Sequence, residues 1–160
     1  MVSAYGEGVH VEGSPSWVGT WALTEVVGFV EWLQARGVPP DESAAELDAL
    51  ENHTTLKISQ EDGVVAFVWV SAVRRKLRKV KQVREYRLDG TTPTIEDFGG
   101  RTLSTVAFID GSTLVHHVDG FLGPETHRRD VESGRLIQRM SLDTPSGAGS
   151  DSCTLIWRRV

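Results

Sequence analysis

From His53 onward the chain is a succession of short runs in which apolar and polar residues alternate, separated by pairs of residues that favour tight reversal. The turn Glu61-Asp62-Gly63 divides "TTLKIS" from "VVAFVWVSA". Asp89-Gly90, Asp110-Gly111 and Asp119-Gly120 then separate "RRKLRKVKQVREYRL", "RTLSTVAFI", "STLVHHV" and "ETHRRDV". Ser133-Gly134 precedes "RLIQRMSL", and a Gly/Ser-rich stretch from Thr144 to Ser152 precedes "CTLIWRRV". Asp-Gly supplies the positive φ that two-residue hairpins need, and a period of two is that of a strand with one buried face. Most of the chain is therefore committed to antiparallel hairpins.

The N-terminal part reads differently. Residues 1–16 contain Gly6, Gly8, Gly13 and Pro15 with little apolar patterning, the mark of a flexible leader. In "WVGTWALTE", Trp17, Gly19 and Trp21 share one parity and predict a first strand. Val26, Phe29, Val30 and Leu33 then follow the i, i+3, i+4, i+7 stripe of a short helix, with Gly37 at the place of a left-handed C-terminal cap and Pro39 and Pro40 to stop it. Ser43 and Glu46, in capping-box spacing, open a second helix with Ala44, Leu47 and Leu50 on one face. The expectation is an all-β domain over residues 17–160, a ten-stranded antiparallel up-and-down β-barrel with a helix-turn-helix lid after the first strand. Closure removes the edges that an open sheet of this size would expose, and such a barrel has room inside for one small ligand.

Composition narrows the function. A chain of 160 residues, 39% hydrophobic, fills one core rather than two. Its 17 Lys plus Arg against 22 Asp plus Glu, net charge -5, argue against coating nucleic acid. With one cysteine, Cys153, no disulfide forms within the chain, which suits a reducing, cytoplasmic setting. Neither a signal peptide nor an apolar run long enough to span a bilayer is visible, and a monomer is expected.

In their order, three segments resemble the intracellular lipid-binding proteins, the family of fatty-acid-binding and retinoid-binding proteins. They are "WVGTWALTE" as opening strand, "FVEWLQARGV" as first lid helix, and "STVAFIDGSTLVHHVDG" followed by "ESGRLIQRMSL". The resemblance covers nearly everything after the leader. It implies a non-catalytic carrier holding a fatty acid, retinoid or similar lipophile, with no cofactor. It also implies that a buried Arg on the eighth strand, with Arg-x-Tyr on the last, holds the ligand's carboxylate. Arg129 falls on the first of these positions, whereas Leu155 and Trp157 stand where the last-strand Arg and Tyr would be. Aligned without gaps, strand parity puts His116, Val118, His127, Arg129, Leu136, Gln138, Met140, Cys153, Leu155 and Trp157 inside. The ligand-binding set is then Arg129, His116, His127, Gln138, Met140, Leu155 and Trp157. Its polar members either orient a head group or pair with one another and with water.

The same resemblance puts Phe29, Val30, Leu33, Arg74, Arg75 and Lys76 at the ligand portal. The last three belong to a basic stretch that continues through Arg78, Lys79, Lys81, Arg84 and Arg87. It reads either as weak docking to an anionic membrane or as a solvated strand face balanced by Asp41, Glu42, Glu46, Asp48 and Glu51. Adjacent His116 and His117 point to opposite faces and cannot share a metal, and His53, His116 and His127 have no ligand spacing, so no metal is expected. No His and acid stand at motif spacing around Cys153, which argues against covalent catalysis. A lesser resemblance, "DGTTPTIEDFGGR" with "VAFIDG", is to the small luciferase subunit of deep-sea shrimp, and would imply oxidation of a lipophilic substrate. A protective barrel without a ligand, like the heat-soluble barrels of desiccation-tolerant animals, is the third reading.

Overall fold

A computed structural model of the chain describes residues 15–51, 54–73, 78–98, 101–120, 123–143 and 151–160. The elements are β1 (Gly19–Val27), α1 (Phe29–Ala35), α2 (Pro40–Glu51), β2 (Thr55–Glu61), β3 (Val64–Val73), β4 (Arg78–Arg87), β5 (Thr94–Phe98), β6 (Arg101–Asp110), β7 (Thr113–Gly120), β8 (Gly123–Glu132), β9 (Arg135–Leu142) and β10 (Ser152–Arg159). All ten strands lie in one antiparallel sheet in the order β4-β3-β2-β1-β10-β9-β8-β7-β6-β5. Sequence neighbours pair throughout except β4 and β5, which are the two ends of the sheet, and β1 pairs with β10 and so joins the two halves of the chain. Among the described residues no helix is long and apolar enough to cross a membrane.

Turn chemistry sets the local register. Asp62 and Gly63 have φ of 51° and 74°, and Ser133 and Gly134 have 53° and 75°, so both central residues of each reversal are left-handed, as the twist of a two-residue hairpin requires. Asp89-Gly90 behaves differently from the expected hairpin. The Asp89 carboxylate accepts the backbone N–H groups of Thr91 and Thr92 at 2.9 and 2.8 Å, and the loop leads from β4 to β5, which share no ladder. These strands are the two ends of the sheet, and side chains close the seam between them.

The helical pair also departs in detail. Val26 belongs to β1 instead of opening a helix, and Gly28, at φ 75°, makes the turn into α1. At the other end Gly37 N–H donates to Gln34 O and Val38 N–H to Leu33 O, both at 3.0 Å, which is the Schellman pair of bonds. Pro40 does not only end the first helix, because it is the first residue of α2. A proline at that position loses no hydrogen bond and arrives with its φ preset. Ser43 is then inside the helix rather than its cap. It is fully buried with its hydroxyl donating to Val38 O at 3.3 Å, and Ala44 is exposed.

Strand β5 was the one not located within its segment by pattern. Its inward residue is the charged Glu96 while the apolar Ile95 is 61% exposed, so its alternation has the opposite sense to a strand with an apolar inner face. Trp17, Trp21, Leu56, Ile58, Phe67, Leu114, Leu136 and Trp157 form the core, all essentially inaccessible. Register puts Trp21 and Trp157 toward the end of the barrel remote from α1, so large side chains fill that half.

Candidate functional site

The ladders stack the inward residues of β7 to β10 in layers. Leu114, Arg129, Gln138 and Leu155 are cross-strand neighbours in one layer. His116, His127, Met140 and Cys153 form the next, and Val118, Glu125 and Leu142 the one beyond. Trp157 and Leu136 lie on the other side of the Arg129 layer, toward the tryptophan-filled end.

A cavity of about 210 Å³ opens at these central layers. His116, His127, Arg129, Gln138 and Met140 line it, together with Trp69, Tyr86 and Glu96 from the opposite wall. Leu155 and Trp157, 3% and 1% exposed, are packed in the core and are not part of this lining. Phe29 and Val30 of α1 are half-buried and Leu33 is buried against the core. Arg74, Arg75 and Lys76 lie outside the described residues, as do His53 and the first fourteen residues.

Arg129 is buried in a mostly apolar surround. Its Nη1 donates to His116 Nδ1 at 2.8 Å, and its guanidinium carbon stands 4.5 Å from the centroid of Phe67. Among the described residues no carboxylate forms an ion pair with it, and its Nε–H has no hydrogen-bond partner. Burial pushes its pKa down to about 10, which leaves it charged at neutral pH. His116 sits between rings, with centroids 5.3 Å from Phe67 and 4.6 Å from Tyr86. Burial, and then the Arg129 charge, hold its pKa well below the usual 6.5, so the ring is neutral.

Two groups of charged residues surround this pair. Glu125, fully buried, lies 2.7 Å from Arg36 Nε at the end of α1 and 2.9 Å from His127 Nε2. At the seam, Glu96 accepts Arg84 Nε–H at 3.1 Å and the Tyr86 hydroxyl at 2.5 Å, and the Thr94 hydroxyl donates to Glu85 O at 3.1 Å. Arg84 thus meets an acid of β5 and not one of α2. Cys153 is buried with its thiol pushed up to about 12, chiefly by desolvation, and stays protonated. Among the described residues no group of three or more His, Cys, Asp or Glu side chains is placed to hold a metal ion.

Solved structures with this architecture decide the fold. The REP1-NXSQ fatty acid transporter superposes with a TM-score of 0.72 at 19% identity, over 92% of this chain and 98% of its own. The fluorescent protein UnaG gives 0.70 at 22%, over 90% and 97%. Echinococcus granulosus fatty-acid-binding protein 1 gives 0.70 at 14%, over 92% and 99%. The chain has the fold of the fatty-acid-binding proteins. No family model matches the sequence, and neither does any curated protein sequence.

Within this fold, sequence reading had not singled out Glu125, Arg36, Tyr86 or Glu96 as part of the interior. Glu125 shares parity with His127 and Arg129, and that signal was available. Arg36 was not legible from parity, because its role depends on how α1 sits across the barrel. Tyr86 and Glu96 belong to strands far apart in the ladder and meet only on closure.

Proposed function

We propose that the protein is a non-catalytic intracellular carrier that holds one compact amphipathic molecule inside the barrel, its polar end among His116, His127, Arg129 and Gln138. The observation that carries this reading is the 210 Å³ cavity at mid-barrel, where a buried guanidinium with no carboxylate partner among the described residues lies beside aromatic side chains. An isolated charge in such surroundings costs several kcal/mol unless something polar meets it, and a ligand head group supplies that partner. Pockets for drug-sized ligands run from about 300 to 1,000 Å³, so the favoured occupant is smaller than a long-chain lipid. Access past Phe29, Val30 and Leu33 of α1 is the corresponding route in. The fold shared with a fatty acid transporter and a fatty-acid-binding protein supports the reading.

Titration of the folded protein with an anilinonaphthalene sulfonate is expected to show one saturable site, and native mass spectrometry of protein from a lipid-containing host to show a bound small molecule. No saturable binding of the probe, of medium-chain acids or of retinoids would remove the carrier reading.

A further inference from the structure

Arg36, Glu125 and His127 form a chain of contacts from the helical pair to the cavity wall. Arg36 caps the C-terminal end of α1, next to the Gly37 reversal that leads into α2. Its Nε meets Glu125 Oε2 at 2.7 Å, and Oε1 of the same carboxylate meets His127 Nε2 at 2.9 Å. The first of these is an ion pair out of line for a hydrogen bond, so its strength follows charge. The His127 ring lines the cavity together with Arg129 and His116. Burial, against the pull of Glu125, lowers the His127 pKa from 6.5, so at neutral pH the ring is uncharged and donates from Nε2 to Glu125. Glu125 then answers the charge of Arg36 one for one.

Protonation of His127 upsets that balance, because Arg36, Arg129 and the imidazolium then share the single charge of Glu125. The other titratable groups that face this region supply no second anion. His116 on β7 is neutral, the Cys153 thiol on β10 and the Tyr86 hydroxyl on β4 keep their protons, and Glu96 on β5 is engaged by Arg84 and Tyr86. An uncompensated buried charge is strongly disfavoured, so one cation has to leave. His127 is fixed on β8 by ladders to β7 and β9, whereas Arg36 stands at a helix end with 10% of its side chain already exposed. Resting on the reading of the cavity as a ligand site, we propose that this clasp is an acid-released catch: protonated His127 takes over Glu125, Arg36 turns out to solvent, and the corner between α1 and α2 loosens so that the cavity exchanges its contents faster. Trp32 and Leu33 keep the body of α1 seated in the core. The movement belongs to the corner and to α2, where Ser43 is the one buried residue among the described side chains.

The test follows release of bound anilinonaphthalene sulfonate by stopped flow, and amide protection by hydrogen exchange, between about pH 7.5 and about pH 5. In the wild type the release rate is expected to rise at least about fivefold on acidification, the lower end of ordinary coupling between sites. Protection should fall in residues 36–51 and hold in β8 and β9. His127→Gln keeps an N–H for Glu125 but takes up no proton, so the ratio of its rates at the two pH values should lose this dependence. Arg36→Leu/Glu125→Leu, which removes both charges at once, should release the probe at the fast rate already at the higher pH. The midpoint of the wild-type change should coincide with the titration of the His127 ring followed by ¹⁵N NMR, a comparison that stands even if a variant fails to fold. A release rate indifferent to pH, separate midpoints, an undiminished pH dependence in His127→Gln, or protection lost equally in β8 and β9 overturns the catch while the carrier reading stands. If the probe does not bind, but residues 36–51 lose protection with acid in the wild type and not in His127→Gln, the catch stands and the carrier reading falls.

Discussion

Arg36 reaches from the end of α1 to a carboxylate that water does not touch, and the consequences are one-sided. The pair Arg36–Glu125, at 2.7 Å, exchanges two hydration shells for one contact and a further bond from Glu125 to His127. Its net worth is small, whereas removing one partner strands the other: Glu125→Leu is expected to cost about 3–5 kcal/mol in urea unfolding. The double variant Arg36→Leu/Glu125→Leu should cost less than Glu125→Leu alone, and a double-mutant cycle reads the difference. The histidines add a pH dependence. Burial is the main cause that lowers both His116 and His127 below 6.5, so the unfolded chain takes up protons on these rings before the folded protein does. Stability is then fully present above about pH 6.5 and declines as pH falls below it. Thermal melts should show the midpoint dropping between about pH 7 and pH 5, a slope that His116→Gln makes shallower.

Among the elements, β4 and β5 are the weak place. Every other neighbouring pair of strands shares a backbone ladder, while these two sheet ends are linked through Glu96, Arg84, Tyr86 and Thr94. Local opening follows the density of such bonds. Glu96→Ala should therefore speed amide exchange in β5 and leave exchange in β8 and β9 unchanged; equal acceleration in all three would show that the seam opens only with the whole barrel. The same elements explain what pattern reading achieved. The Asp62-Gly63 and Ser133-Gly134 reversals were legible because a positive φ is a local demand answered by a local residue type. The cap at Gly37 was legible for the same reason. Ser43 misled because its spacing to Glu46 satisfies a capping rule, while Pro40 three residues earlier is the stronger local start. Strand β5 was hidden because its inner residue is a charge whose partners come from β4.

For the molecule as a whole, the division of the interior sets the size of what can be held. Trp17, Trp21 and Trp157 fill the end remote from the helices, and the 210 Å³ cavity occupies the middle. A long alkyl chain has to displace packed aromatic side chains, while a medium chain does not. Octanoate is therefore expected to match or exceed oleate in displacing a common probe, against the usual gain of about 0.8 kcal/mol per buried methylene. An affinity that keeps rising with chain length would show that the barrel expands. Leu155 beside Gln138 in the Arg129 layer, and Trp157 one layer further in, are consistent with an interior tightened around its centre. The all-β class and the helical insertion after the first strand could be read from the chain alone, because hairpin turns and a period of two are enforced over a few residues, while the inward sense of His116, Arg129 and Gln138 also needed the family resemblance, since both faces of β8 are polar. The pairing of Arg129 with His116, the clasp of Arg36 on Glu125 and the volume left free depend on side chains that meet across the closed barrel. Those distances are set by sheet closure and by how the large side chains pack, and no local pattern encodes them.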